Sequence, residues 1–278
     1  MSTTVIKASG RREEFDERKV LRAVKRAGAS DEVARRVTDE LDKRLYDGIT
    51  TREIYRITFD ILNRERHSLA SRYDLKRAIM RLGPAGFSFE TYLGEILREH
   101  GHSVEIRQMI PGKCVVHEID VVCEEKPGSF AMIECKYHNS EGIYTGLKQT
   151  LYTYARFLDL RKGWDKRGGM RFDSVWLATN TKFSDKAREY GGCKGMRLLG
   201  WRYPRGEGIE TMIEGKGLYP VTILRRLDDR SKEKLSDANL MIIKDLLEGD
   251  VEDLAYRTRI SEKKIRGIVA EAKEIHVG

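Results

Sequence analysis

Three charged residues stand in a part of the sequence that otherwise has the pattern of buried strands. The stretch HEIDVVCEEKPGSFAMIECKY, residues 117–137, has the apolar runs and the Pro-Gly dipeptide typical of a β-hairpin. Asp120, Glu134 and Lys136 interrupt these runs. Charged side chains are rarely buried unless they are paired or bind an ion. The spacing therefore predicts a polar site at one end of a sheet.

These residues have the chemistry of a metal-dependent phosphodiesterase. Side chains at i and i+2 of a strand share a face, roughly 6.6 Å apart, so Glu134 and Lys136 project together while Cys135 points into the core. The hairpin can bring Asp120 beside Glu134, and two adjacent carboxylates repel unless a cation lies between them. An oxygen site with few protein ligands suits Mg²⁺, which acidifies a bound water. Lys136 could orient that water or stabilise the pentacovalent phosphate.

A simpler interpretation of the same residues is a Glu–Lys cross-strand pair with an unrelated surface aspartate. For an isolated Glu-x-Lys sequence, the simpler interpretation is favoured. The surrounding elements decide between the two, because a site needs all of its residues at one edge of the sheet.

The sequence divides into three segments, 1–83, 84–228 and 229–278. The first has a short strand followed by amphipathic helical patterns. The second alternates strands with helices, which is typical of an α/β layer with a mixed sheet. The third is helical. The predicted fold class is therefore multidomain, with an α-helical domain carrying a small β element, an α/β core and a small helical C-terminal domain.

Composition narrows the choice of partner and compartment. The 278 residues carry a net charge of +8, which is compatible with a polyanionic partner such as DNA. The start of the chain lacks a signal-peptide core, and no apolar run approaches the about 20 residues of a membrane span. These features predict a cytoplasmic protein without a membrane partner. The four cysteines show no CxxC spacing, which argues against a zinc knuckle or a redox pair.

The middle segment resembles the Mrr-like branch of the PD-(D/E)xK restriction endonuclease superfamily. The resemblance is carried by GFSFETYLGEILREHG, IDVV, IECKYH, a helix with Gln149 and VWLATNTKFSDKAREYG, in the family's order over most of residues 86–203. It implies a restriction-endonuclease-like mixed-sheet core and a Mg²⁺- or Mn²⁺-dependent DNA endonuclease. Many Mrr-type members have Gln at the position of Glu134. The glutamate of this chain is a minor variant that is common in the wider superfamily.

The same resemblance implies the site residues. The implied catalytic residues are Glu90, Asp120, Glu134, Lys136 and Gln149, and the implied metal ligands are Asp120, Glu134 and Cys135. Cutting both strands of DNA generally needs two active sites, so a homo-oligomer, a dimer or tetramer, is expected. His117 and His138 flank the cluster and could touch phosphate or metal, although a histidine near a site is more often a bystander.

The first segment resembles the ATP-cone, a nucleotide-sensing domain of ribonucleotide reductases and of a bacterial repressor of their genes. The match runs from VIKASGRREEFDERKV through GITTREI to LASRYDLKRAI, roughly residues 4–82. It implies ATP or dATP as an effector, with a site lined by Val5, Lys7, Arg11, Arg12 and Lys19. No Walker loop is present, so hydrolysis by this domain is not expected.

The chain departs from the ATP-cone family at Ala8, where a basic residue is usual. This departure leaves open a second interpretation, in which the folded cone has lost its nucleotide and serves in dimerisation or DNA contact.

The last segment is similar to a helix-hairpin-helix unit, which grips a DNA backbone through N–H groups of a hairpin. The hairpin sequence RISEKK lacks glycine, but Ser261 can cap a helix, and Lys263 and Lys264 could meet phosphate. Simple helical packing is the alternative.

Three functional hypotheses follow. The first is an ATP-cone-regulated, Mg²⁺-dependent DNA endonuclease. The second is a nucleotide-responsive DNA-binding regulator whose nuclease fold no longer cuts. The third is a nuclease acting on RNA or on repair structures, since substrate choice depends on loop shapes that the sequence does not reveal.

Overall fold

The computed structural model describes residues 3–83, 88–167 and 170–277. The chain forms two compact units. One combines residues 1–81 with residues 219–278, and the other comprises residues 82–218. The predicted boundary after residue 83 adjoins four residues that lie outside the described ranges.

The first unit begins with a three-stranded sheet and five helices. The elements are β1 Thr4–Ile6, β2 Arg12–Glu14, α1 Glu17–Arg26, α2 Asp31–Asp42, β3 Ile49–Thr50, α3 Thr51–Glu65, α4 His67–Tyr73 and α5 Leu75–Met80. β1 pairs antiparallel with β2 and parallel with β3. Local hydrogen bonds fix the helix starts: the Ser30 hydroxyl accepts the N–H of Val33, and Thr50 forms a capping box with Glu53.

Apolar side chains at helical spacing hold this part together. Val37 and Leu41 are fully buried, and Val33 and Leu45 pack against the same core. These four residues form the stripe that their spacing predicts. Val5 of β1 is buried in the same cluster, so the sheet and the helices share one core.

The second unit contains a mixed sheet with helices beside it. Its elements are α6 Phe89–Glu99, β4 Ser103–Pro111, β5 Val116–Lys126, β6 Ser129–Lys136, β7 Tyr144–Thr145, α7 Leu147–Arg167, β8 Phe172–Thr179, β9 Lys182–Phe183, α8 Asp185–Cys193, β10 Arg197–Leu199 and α9 Ile209–Lys216. The strand order is β10-β8-β6-β5-β4. β4, β5 and β6 are antiparallel, whereas β8 is parallel to both β6 and β10. The predicted mixed sheet is confirmed.

The charged hairpin has the predicted form. β5 and β6 are joined by a turn at Pro127-Gly128, where Gly128 has φ of +76°, a conformation that glycine adopts without steric cost. The helix after the hairpin differs from its sequence pattern. It begins at Leu147 rather than near residue 142, because Tyr144 and Thr145 pair with β9 instead.

A close approach between α6 and β4 sets the position of the helix that carries Glu90. A Cβ added at Gly94 would lie only 2.5 Å from Cδ1 of Ile106. Only a glycine permits this spacing without a shift of the neighbours. The Ser88 hydroxyl accepts the Thr91 N–H at 3.2 Å and begins α6 there.

The last four helices complete the first unit. They are α10 Asp229–Asp237, α11 Ile243–Glu248, α12 Val251–Thr258 and α13 Glu262–Val277, after a 3-10 helix at Val221–Ile223. The buried carboxylate of Glu271 accepts the Arg225 N–H at 2.7 Å and lies 3.2 Å from Nε2 of His67. Arg72 donates to the carbonyl of Ile275 at 2.7 Å. The structure thus joins the predicted third segment to the first.

The hairpin between α12 and α13 turns at an arginine. Arg259 has φ of +53°, the left-handed region that favours glycine. Ser261 precedes α13, and its carbonyl accepts the N–H of Lys264 at 2.9 Å. The Lys264 ammonium pairs with Asp228 at 2.7 Å. Within residues 3–83, 88–167 and 170–277, every helix is too short or too polar to cross a lipid bilayer.

Candidate functional site

Asp120 and Glu134 meet where β5 and β6 separate. The last register pair of the hairpin at this end is Val121 with Ile133, so the two carboxylates come one residue beyond it on neighbouring strands. Oδ2 of Asp120 accepts the backbone N–H of Cys135 at 2.7 Å. This bond ties the aspartate of one strand to the Glu-x-Lys sequence of the next, as the sequence predicts.

The two carboxylates are shielded from solvent and repel each other. Burial, together with the neighbouring Asp120, raises the pKa of Glu134 to about 7, although Arg156 and Lys136 act in the opposite direction. Burial also raises the pKa of Asp120, a shift that the Cys135 N–H opposes and the charge of Glu90 reinforces. A cation bound between these oxygens would relieve both effects, and a set of carboxylate oxygens suits Mg²⁺ or Mn²⁺.

Glu90 lies close enough to contribute, and it is paired with an arginine. It stands in the first turn of α6, and Oε1 accepts from Nη2 of Arg107 at 2.8 Å. In the β4–β5 ladder Arg107 falls between the pairs Ile106–Val121 and Gln108–Ile119, opposite Asp120. Its φ of +54° is a strained conformation for an arginine. Strain of this kind clusters at functional sites.

Arg156 of α7 contacts the carboxylate of Glu134. Nη1 contacts Oε2 of Glu134, and Nη2 contacts the backbone carbonyl of Glu118. The side chains of Arg156 and Glu134 are 11% and 17% exposed, so water screens the pair poorly. Sequence reasoning missed both Arg156 and Arg107. For Arg156 a signal existed, because it follows Gln149 by seven residues and therefore shares its helix face.

Lys136 and Gln149 have different surroundings. Lys136 is exposed at the end of β6, next to Thr179 of β8 in the parallel register. The side chain of Gln149 lies at the start of α7, where Oε1 accepts the N–H of Gly146 at 3.3 Å. Lys136 is thus placed as predicted, at the rim beside Glu134, whereas Gln149 caps its own helix.

The two histidines and Cys135 complete the surroundings. His117 lies 2.9 Å from Oδ2 of Asp159, and His138 lies 3.1 Å from Oγ1 of Thr145. Burial and the nearby carboxylates raise the pKa of the Cys135 thiol well above its ordinary value. Mg²⁺ also prefers oxygen ligands, so the Cys135 thiol is a poor ligand for it. Across the described part of the chain, no three His, Cys, Asp or Glu side chains converge closely enough to ligate one ion.

A second candidate site lies in the first unit. An open pocket of about 440 Å³, including the solvent at its mouth, is lined by residues of β1, β2, α1, α3 and α4. The lining residues are Val5, Glu13, Glu14, Phe15, Asp16, Lys19, Val20, Thr51, Ile54, Tyr55 and Tyr73. Val5 and Lys19 were predicted to line it. Tyr55 and Tyr73 were not, and their rings stack with centroids 5.4 Å apart.

The remaining predicted nucleotide residues lie at the edge of this pocket. Glu13 bridges two of the predicted phosphate ligands, with its oxygens 2.8 Å from Nζ of Lys7 and 3.0 Å from Nζ of Lys19. Arg11 is exposed on the turn between β1 and β2, and its carbonyl accepts the Lys7 N–H at 2.9 Å; Arg12 is exposed at the start of β2. The two arginines therefore stand beside the pocket rather than in its lining.

Comparison with known proteins assigns the chain to a family. A protein of Archaeoglobus fulgidus described as uncharacterized is 45% identical over 183 residues, which is 66% of this chain and 99% of that protein. Residues 219–276 match the family described as AF1548-like, C-terminal. The chain belongs to the AF1548-like family. A crystal structure titled Protein of Unknown Function AF1548 has 45% identity and a TM-score of 0.58, and the match covers 67% of this chain and 95% of that one.

The AF1548-like chain also carries an ATP cone domain. Residues 3–80 match the ATP cone domain, which confirms the predicted N-terminal domain and suggests a nucleotide effector. The matched residues include those that line the pocket of the first unit.

Proposed function

We propose that this protein is a Mg²⁺-dependent DNA endonuclease that hydrolyses phosphodiester bonds under the control of ATP or dATP bound to its cone. The proposal is carried by one observation, the adjacency of Asp120 and Glu134 where two strands separate. Glu90 reinforces it by raising the pKa of Asp120, and Lys136 follows Glu134 at the same rim. The Mrr-like order of sequence motifs supports the same reaction.

Each residue has a chemical role in this proposal. Asp120 and Glu134 would hold Mg²⁺, which supplies Lewis-acid charge to a phosphodiester when bound. Lys136 would place its ammonium against the phosphate oxygens and stabilise the added negative charge of the pentacovalent phosphate. Glu90, on α6, would add negative charge beside Asp120 without ligating the ion. The net charge of +8 favours the approach of DNA.

The test is cleavage of plasmid and single-stranded DNA with Mg²⁺ or Mn²⁺. We expect the wild type to cut, and Asp120→Ala and Lys136→Ala each to reduce the rate roughly 100-fold or more, the usual scale for losing one electrostatic group at a reaction centre. Lys126→Ala is the matched control, because this lysine is exposed at the opposite end of β5. Undiminished activity in both site variants would end the assignment.

The nucleotide and the assembly are tested in the same assay. ATP and dATP should change the cleavage rate, and Lys19→Ala in the pocket should weaken that response while leaving the rate without nucleotide unchanged. Cutting both strands generally needs two active sites, so the active species should be a dimer or tetramer. Light scattering at the assay concentration gives its mass.

A second candidate function is a nucleotide-responsive DNA-binding regulator that does not cut. It is favoured by the pairing of Glu134 with Arg156 and of Glu90 with Arg107, since each arginine neutralises a carboxylate that a cation would use. Salt-sensitive DNA binding that ATP alters, without cleavage under any divalent metal, would support this function instead.

A further inference from the structure

The guanidinium of Arg156 is held at two points beside the acidic cluster. One nitrogen contacts Oε2 of Glu134 and a second contacts the carbonyl of Glu118, so the planar group is anchored by both of its arms. The ring of Tyr152, one turn earlier on α7, lies 5.4 Å from Cζ of Arg156. Three contacts therefore fix a positive charge on the carboxylate that the sequence assigns to metal binding.

The position of the guanidinium matters because it already balances the single negative charge of Glu134. The pair is largely shielded from solvent, so the guanidinium and a divalent cation would repel strongly if both sat on the same carboxylate. The hydrogen bond from Arg156 also occupies one lone pair of Oε2. Asp120 retains its bond to the Cys135 N–H and offers its other oxygen. The two carboxylates thus differ, because Glu134 is paired with a guanidinium whereas Asp120 accepts a backbone N–H.

We propose that Arg156 and the divalent cation compete for Glu134, so that the cation binds fully only after the guanidinium has left. The inference rests on the proposed function, because it assigns a regulatory role to a residue beside the same site. Arg156 is a positioning residue in this scheme. It holds Glu134 in place and balances the charge of its carboxylate in the cation-free protein, and its release sets the cation concentration at which the site fills.

The first test measures Mg²⁺ binding by titration calorimetry at about pH 8.5, above the pKa of Glu134, which lies at about 7. Arg156→Gln should bind Mg²⁺ roughly tenfold more tightly than wild type, the change that about 1.4 kcal/mol produces. Arg161→Gln is the matched control, because Arg161 lies on the same helix but is exposed and packs over Phe157. It should bind Mg²⁺ as the wild type does.

The second measurement uses the wild type and so does not depend on the folding of a variant. Nitrogen-15 NMR can follow the guanidinium of Arg156, assigned by comparison with Arg156→Lys. Anchored at two points, the group should rotate slowly about its Cζ–Nη bonds without metal. Saturating Mg²⁺ should shift its Nε signal and remove that restriction. An Nε signal that stays unchanged while Mg²⁺ binds would overturn the inference.

Two further variants separate this inference from the proposed function. Asp120→Asn and Glu134→Gln should both lose Mg²⁺ binding. If they do, but Arg156→Gln binds Mg²⁺ no more tightly than Arg161→Gln, then the competition is wrong and the metal site stands. If Mg²⁺ binds equally well to Asp120→Asn and Glu134→Gln, the metal site itself is wrong and the competition fails with it.

Discussion

Asp120 accepts the backbone N–H of Cys135 at 2.7 Å, and this bond joins the two strands at the point where their register pairing ends. The bond has two consequences, one for the backbone N–H of Cys135 and one for the charge of Asp120. The bond supplies a partner that the separated backbone would otherwise lack, and it holds a negative charge next to Glu134. The hydrogen bond and the charge can be separated by substitution.

Asp120→Asn and Asp120→Ala should change stability in opposite directions. Asparagine keeps an acceptor for the Cys135 N–H and removes the repulsion with Glu134, so the free energy of unfolding should rise by about 1 kcal/mol, the scale of one pKa unit. Alanine leaves the N–H without its partner and should cost about 1–3 kcal/mol. Urea denaturation in EDTA measures both. Unchanged stability in Asp120→Asn would mean that the repulsion contributes nothing, and equal destabilisation by the two variants would mean that the negative charge of Asp120 itself stabilises the fold.

Glu13 should limit nucleotide affinity. Its carboxylate pairs with Lys7 and Lys19, and the hydrogen bond from Lys7, followed by that from Lys19, lowers the pKa of Glu13. Glu13→Gln should release both ammonium groups to phosphate and tighten ATP binding about two- to fivefold, as expected for exposed pairs. Titration of a fluorescent ATP analogue measures this. Asp31→Asn is the control, because Asp31 pairs with Lys25 and neither residue lines the pocket. Weaker ATP binding by Glu13→Gln would show that the Glu13 carboxylate itself contacts the nucleotide.

Arg259 should be a site where glycine stabilises. A φ of +53° costs an L-residue about 1–2 kcal/mol, and glycine avoids this cost. Glycine also loses more backbone freedom on folding, which offsets part of the gain. The free energy of unfolding of Arg259→Gly should therefore rise by about 0.5–1 kcal/mol. Arg257→Gly, two residues earlier inside α12, should lose about 1 kcal/mol. Thermal denaturation of the two variants gives the signs. A loss at both positions would contradict the left-handed turn.

Asp159 should make the free energy of unfolding depend on pH in the acidic range. Burial alone would raise its pKa, but hydrogen bonds from His117, from Cys114 and from the Val115 N–H hold the pKa at about 2. Since this lies below the unfolded value of about 3.9, the stabilisation is complete above about pH 4 and disappears as the pH falls through about 2. Asp159→Asn should cost about 1–3 kcal/mol at neutral pH.

The acid dependence separates this effect from a simple packing defect. The difference in unfolding free energy between wild type and Asp159→Asn, followed by urea denaturation from pH 7 downwards, should shrink as pH 2 is approached. A difference that stays constant over this range would show that the charge of Asp159 is not the cause.

Local sequence patterns predicted the parts of the fold that depend on neighbours in the chain. The Ser30 cap, the Val37–Leu41 stripe and the glycine turn at Gly128 all arise within a few residues, and all are present. The adjacency of Asp120 and Glu134 followed from the same hairpin. Strand alternation likewise predicted the mixed sheet.

Contacts between distant elements were not predictable in this way. Arg107 of β4 meets Glu90 of α6, and Arg156 of α7 meets Glu134 of β6. Neither pairing leaves a periodic signal. The burial of Glu271 against Arg225 joins residues 46 positions apart, so the helical pattern of the last segment gave no sign of its partner.

The first unit is made from both ends of the chain, with the second unit inserted between residues 81 and 219. During synthesis the inserted unit is fully translated before the helices that complete the first unit exist. The surface of the cone that will receive Glu271 and Ile275 therefore stays uncovered until residues 219–278 have been translated. Excising residues 82–218 and bridging the gap with a flexible linker would let the two halves of the first unit meet at once, which makes that unit accessible to study without its insert.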